Sequence, residues 1–173
     1  MKQTIITQVK ERKEVAAIQV ILASFFIALM AQIRVPIFFS PVPITGQTFA
    51  IILVGGVLGS RRGSCAAALY LLQGAMGYPV FAGGAAGWIH LLGPTGGYLL
   101  FYPLEAYLIG KCFEHRKKFL LYLIPILQLG VGSFWLALFV GGDQAFYQGF
   151  YPFVLLEIAK VILVNLLTRK VIS

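Results

Sequence analysis

Charge is too scarce in this chain to coat a water-soluble globule of its size, and that scarcity limits what it can fold into. Of 173 residues, 14 are Lys or Arg and 6 are Asp or Glu, so 12% are charged while 59% are hydrophobic. Soluble domains carry about 25% charged and about 45–50% apolar residues. A soluble enzyme is excluded on this ground. So are a disordered chain and a nucleic-acid-binding one, despite a net charge of +8. A membrane span takes about 20 residues, so six spans with short loops use most of the length. The expected fold is an all-α integral membrane protein, a six-helix transmembrane bundle forming a single domain over residues 1–173.

The apolar runs place those spans at approximately 15–33, 47–60, 64–76, 94–112, 119–140 and 151–168. Residues 1–14 are polar and mixed in charge, which reads as a solvated N-terminus. A cleaved signal peptide competes for the first run. That run is too long for a typical signal core, and no A-x-A precedes a plausible cut. Arg34 and Pro36 close it. Residues 34–46 hold Pro36, Pro41 and Pro43, which no continuous helix accommodates. Arg61, Arg62 and Gly63 read as a tight basic turn between the second and third spans. Residues 77–97 are rich in glycine, contain two prolines and carry no Asp, Glu, Lys or Arg.

With the N-terminus inside, the charges sort cleanly. Lys2, Lys10, Arg12, Lys13, Arg61, Arg62, Lys111, Arg116, Lys117, Lys118, Arg169 and Lys170 fall on the cytoplasmic side. Arg34 alone falls outside and Lys160 lies within the sixth span. The opposite threading violates the positive-inside rule, so the expected topology is N-in and C-in. The basic excess is orientation, not nucleic-acid recognition. Cys65 and Cys112 both fall near cytoplasmic helix ends, where a disulfide is disfavoured. Neither they nor His115 show metal-ligand spacing, so two packed thiols and no metal are expected.

Ionisable groups within a membrane are costly and mark functional positions by default. Glu105, Glu157 and Lys160 qualify. Glu157 and Lys160, three residues apart, share one face of the last helix. They read either as a self-satisfied packing pair or as a polar anchor in an apolar cavity. Glu105 reads as a structural or interface group reaching toward Lys111 or the basic turns. The irregular segments 34–46 and 77–97 both fall outside. Non-helical backbone at membrane depth is tolerated where protein buries it or a cavity needs it, so together they are expected to cap a ligand pocket. Tyr78, Phe81, Trp88 and Tyr98 would supply its apolar walls. Ser24 and Ala28, flanked by Ala23 and Ala31, give the first helix a surface that another helix can approach closely.

Catalytic and nucleotide signatures are absent. Gly110-Lys111 is followed by Cys112 and preceded at the required position by Glu105, so no phosphate-binding loop is formed. No H-E-x-x-H occurs. Gly130-Val131-Gly132-Ser133 has the wrong order for a nucleophile elbow. An integral membrane enzyme is therefore disfavoured. A membrane scaffold that binds no small molecule remains as a competing class.

The run Ser40-Pro41-Val42-Pro43-Ile44-Thr45-Gly46-Gln47-Thr48-Phe49-Ala50 resembles the "PVPxTxQTFAV" segment of the BioY family, the biotin-specific S components of energy-coupling-factor transporters. Pro79-Val80-Phe81-Ala82-Gly83-Gly84 and Leu92-Gly93-Pro94-Thr95-Gly96-Gly97-Tyr98-Leu99 are similar to its "PVFAGG…LGPTGGYL" run. The resemblance implies a six-helix subunit of a bacterial plasma membrane that captures biotin from outside and has no cofactor. It also implies partnership with a transmembrane coupling protein and two ATPase subunits, with a homo-oligomer as the alternative. An S component for another vitamin is the alternative within the class. The ligand contacts implied are Glu157, Lys160, Tyr98, Trp88, Gly83, Gly84, Gln47 and Thr45, with Ser24 and Ala28 meeting the coupling protein. Glu157 would accept from a ureido N–H, and Lys160 would serve either the ureido oxygen or the carboxylate. Glu157 stands where the family tends to carry Asp, and Gly83 where some relatives carry Asn.

Overall fold

The computed structural model describes the backbone of residues 2–117 and 119–172, and side chains over 12–117 and 119–168. The side chains of Lys2, Lys10, Lys118, Arg169 and Lys170, counted above for orientation, lie outside the described residues. The chain runs α1 (Lys2–Gln32), β1 (Arg34–Val35), β2 (Ile44–Thr45), α2 (Gln47–Ala75), α3 (Trp88–Leu92), α4 (Gly96–Glu114), α5 (Leu120–Val140), α6 (Gly142–Gly149) and α7 (Tyr151–Ile172). It is mostly helical. Four stretches are long and apolar enough to cross a membrane: Arg12–Gln32, Gln47–Ala75, Leu120–Val140 and Gly142–Thr168. The fourth expected span corresponds to α4, where Glu105, Lys111 and Glu114 dilute the apolar signal.

The second and third expected spans are the two limbs of α2, and their reversal lies earlier than expected. Gly59 has φ 79° and ψ 175°, a conformation essentially reserved for glycine. A Cβ built on Gly63 would lie 2.8 Å from the Cα of Gly55. Eight residues of straight helix span about 12 Å, so the chain has folded back on itself between them. Arg61 to Gly63 begin the second limb and are not the turn. Glu114 closes this corner. Its Oε1 accepts the Ser60 backbone N–H at 2.8 Å, and its Oε2 pairs with Lys111 at 3.0 Å. The Ser60 N–H is an orphan donor at a helix start, and it holds the Glu114 carboxyl down at a pKa of about 2, with Lys111 assisting.

Against the first limb, the main chain of Ala106 comes within 2.6 Å of where a Gly55 Cβ would stand, so α4 packs on α2 backbone to backbone. Ala23, Ser24, Ile27, Ala28 and Ala31 of α1 are buried, and the hydrophobic ones join a cluster with α2 and α4. Ser24 and Ala28 therefore serve close approach within the chain, and the free face of α1 carries Leu22, Phe25 and Leu29 instead. Elsewhere, three expectations change. The helix α1 starts well before residue 15, and residues 142–149 form a helix where a loop was expected. Cys112 is a packed thiol, but Cys65 is exposed.

Candidate functional site

The three prolines of 34–46 exclude a helix, and the segment folds instead as a hairpin. Arg34 pairs with Thr45 and Val35 with Ile44, antiparallel. Ser40 Oγ donates to the Gln148 carbonyl at 2.6 Å, which ties the hairpin to the end of α6. The 76–95 segment lies alongside. Gln32 reaches it from α1, its Oε1 accepting the Gly84 N–H at 3.0 Å. Between these segments and the upper parts of α2, α4, α5 and α7 lies a cavity of about 360 Å³. That is within the range of small-molecule sites.

Glu157 and Lys160 meet in the cavity as the shared helical face requires. Lys160 Nζ donates to Glu157 Oε1 at 2.7 Å. Their side chains are 3% and 17% exposed, so both are largely removed from solvent. Thr48 of α2 completes the group. Its hydroxyl donates to Glu157 Oε1 at 2.8 Å and accepts from Lys160 Nζ. Glu157 Oε2 is buried without a hydrogen-bond partner among the described residues, and so is Gln128 Oε1. A buried polar atom left unpaired costs about 1–3 kcal/mol. Both residues line the cavity beside the Lys160 ammonium, so acceptor and donor groups stand together at its wall, the combination that a ligand carrying N–H donors and a carbonyl matches.

The remaining expected contacts divide. Thr45, Gln47, Tyr98 and Gly83 line the cavity with Glu157 and Lys160. Gln47 is a brace: its Oε1 accepts from Thr45 Oγ1 at 3.0 Å while its Nε2 donates to Tyr70 Oη. The Tyr98 hydroxyl donates to the Gly149 carbonyl at 3.0 Å and sits 3.0 Å from Ser133 Oγ, so its ring is a fixed wall. Trp88 is 62% exposed and, with Gly84 and Tyr78, lies outside the lining. A short helix, α3, directs its indole away. Tyr102 and Phe153 provide aromatic wall in its stead. Glu105, expected to reach Lys111 or the basic turns, is fully buried with neither carboxylate oxygen partnered among the described residues, and Lys111 pairs with Glu114.

Sequence reasoning passed over Thr48, Gln128 and Arg34. The first two are polar residues inside helical runs, with no spacing to mark them. Arg34 had a signal, as the one basic residue threaded to the outer loops. It is exposed at the rim, and its guanidinium makes no hydrogen bond or ion pair with the described residues. A Cβ on Gly83, where φ is 72°, would stand 2.7 Å from Arg34 Nη1. The Arg34 side chain thus occupies the space beside Gly83.

The family model for the BioY family matches residues 2–173. A probable biotin transporter BioY of Pyrococcus horikoshii is 41% identical over 146 residues, covering 82% of this chain and 88% of that protein. The biotin transporter BioY of Thermotoga maritima is 39% identical over 161 residues, covering 88% and 94%. Among solved structures, the S component for biotin from an ECF-type ABC transporter superposes with a TM-score of 0.77 at 27% identity, covering 92% of this chain and 93% of that one. With the match running from residue 2 to the C-terminus, the chain belongs to the BioY family.

Proposed function

We propose that the chain is the biotin-capture subunit of a vitamin uptake system and performs no catalysis. The observation that carries this reading is the Glu157–Lys160–Thr48 group with two acceptors unpaired among the described residues, Glu157 Oε2 and Gln128 Oε1, on residues that line the cavity. A ureido ring offers two N–H donors and one carbonyl. Glu157 and Gln128 accept the former and Lys160 donates to the latter. Arg34, at the rim and free of partners, receives the ligand carboxylate, which assigns Lys160 to the ureido end. Phe81, Tyr98, Tyr102 and Phe153 wall the apolar ring and chain between them.

In the membrane, α1, the two limbs of α2, α4, α5 and α7 act as six spans with both termini inside. Two features support this topology. Gln47 and Tyr98, in the first turns of α2 and α4, line the cavity, whereas Arg61 and Arg62 sit at the fold-back of α2 and Lys111 near the last turn of α4. The hairpin and the 76–95 segment then cap the cavity from outside, in a bacterial plasma membrane. The likeness to an ECF S component supports partnership with a membrane coupling protein and ATPases that move the captured ligand. The test is equilibrium binding of labelled biotin to the purified chain, with biotin amide and other vitamins as competitors. Biotin alone among the vitamins should compete, and Arg34→Gln should weaken free biotin while leaving the amide's affinity unchanged. Equal losses for both would remove Arg34 from the carboxylate end.

A further inference from the structure

A second hollow lies at the other end of the bundle. A groove of about 700 Å³ runs between the last turns of α4 and the first half of α5, lined by Leu108, Cys112, Leu123, Leu127 and Gly130 among others, with Lys111, His115 and Lys117 at one end. The groove's walls are apolar and its end is basic. We propose that it binds one acyl chain of an anionic phospholipid, with the phosphate held by Lys117 and His115. The proposal rests on the membrane orientation above and is independent of what the cavity binds.

Three observations argue for this occupant. The first is length. Leu120 to Gly130 is eleven residues of helix, a rise of about 15 Å from first to last, and half of a hydrocarbon core of about 30 Å is one leaflet. The second is charge. Lys111 is engaged by Glu114, but His115, Arg116 and Lys117 form no side-chain hydrogen bond or ion pair with the described residues. Basic side chains left unpaired at the mouth of an apolar groove complement a phosphate attached to a fatty chain. The third is the backbone. The Lys117 N–H donates to the Cys112 carbonyl at 2.9 Å and the Arg116 N–H to Phe113 at 3.3 Å, which closes α4 in a Schellman motif. Arg116 occupies the left-handed position with φ 55°, where glycine is usual. A cation is retained there at a cost in backbone strain. Gly130, at the far end, has nothing within 4 Å of where its Cβ would point, so the groove is unobstructed at that end.

The test measures the thermal shift of the purified chain on adding phosphatidylglycerol or phosphatidylcholine, together with native mass spectrometry of retained lipid. Wild type should retain phosphatidylglycerol and be stabilised by it in preference to phosphatidylcholine. Gly130→Leu fills the groove and should abolish that preference. Lys117→Gln should weaken phosphatidylglycerol roughly fivefold, the equivalent of about 1 kcal/mol per basic residue at a membrane surface. Biotin affinity should be unchanged in both, which certifies their fold. Equal shifts with the two lipids would overturn the proposal, as would a phosphatidylglycerol preference that survives Gly130→Leu. Should Gly130→Leu not fold, an unweakened Lys117→Gln overturns it alone. If Gly130→Leu only blocks co-purification of a coupling protein and leaves lipid retention intact, the groove is a helix-docking site and the proposal fails.

Discussion

Thr48→Val isolates the part of the site that only the structure reveals. Valine has nearly the shape of threonine, so the substitution opens no cavity beside α7. What it removes is one hydroxyl that donates to Glu157 Oε1 and accepts from Lys160 Nζ. A hydrogen bond to a charged group contributes about 1.5–3 kcal/mol. Glu157 and Lys160 remain paired at 2.7 Å, so the charges stay compensated and total loss of the site is not expected. The loss is of placement: with one anchor left, the carboxylate and ammonium rotate about each other, and the ligand must order them again. If one such bond's worth of pre-organisation is lost, biotin affinity falls roughly 10- to 150-fold. Equilibrium binding on the purified protein reads this directly. Thr48→Ser keeps the hydroxyl and should stay within a few-fold of wild type. Wild-type affinity in Thr48→Val would refute the reasoning. Equal weakening in Val and Ser would also refute it, because it would assign the effect to the methyl group.

Three further outcomes follow from local geometry. The Glu114 carboxyl is held at about 2 by the Ser60 N–H and Lys111. A depressed pKa contributes stability that is fully present above the ordinary carboxyl range and is lost as pH falls toward 2. Melting temperature should therefore decline between pH 4.5 and 2 more steeply in wild type than in Glu114→Gln; parallel curves would contradict the tie. Glu105 is buried with both oxygens unpartnered among the described residues, so Glu105→Met should raise stability by about 1–3 kcal/mol in detergent unfolding and leave biotin affinity unchanged. A lowered melting temperature would show that Glu105 has a structural task. Gly59→Ala imposes a side chain on a glycine-only conformation and should cost about 1–3 kcal/mol, while Gly130→Ala, facing open space, should not destabilise.

Much of this architecture is visible in the chain itself, and the parts that are not share a physical cause. Apolar runs report burial or lipid exposure over many residues, so α1, α5 and α7 are legible, and the i, i+3 spacing brings Glu157 to Lys160. Dihedral angles leave no such trace. Arg61 and Arg62 suggest the reversal in α2, but the bend falls at Gly59, one of several glycines in that stretch. The helix α6 is short and polar, GDQAFYQG, and no periodicity announces it. Direction is equally hidden. Trp88 and Phe81 both belong to an apolar loop, yet α3 turns one outward while the other packs edge-on against Tyr70 at 5.6 Å. Thr48 reads as one more small residue in an apolar helix until α7 is placed beside it. Ser24 and Ala28 signal close helix approach correctly, but small residues do not say whose helix approaches.

The central claim is that one acid and one ammonium on α7 anchor biotin. Equilibrium binding of labelled biotin to the purified wild type, Glu157→Ala and Lys160→Ala tests it most directly. Removing either partner takes away the group that meets the ligand and leaves the other charge uncompensated, so the account predicts loss of measurable binding in both variants, read on the folded fraction. Unchanged biotin affinity in both would contradict it.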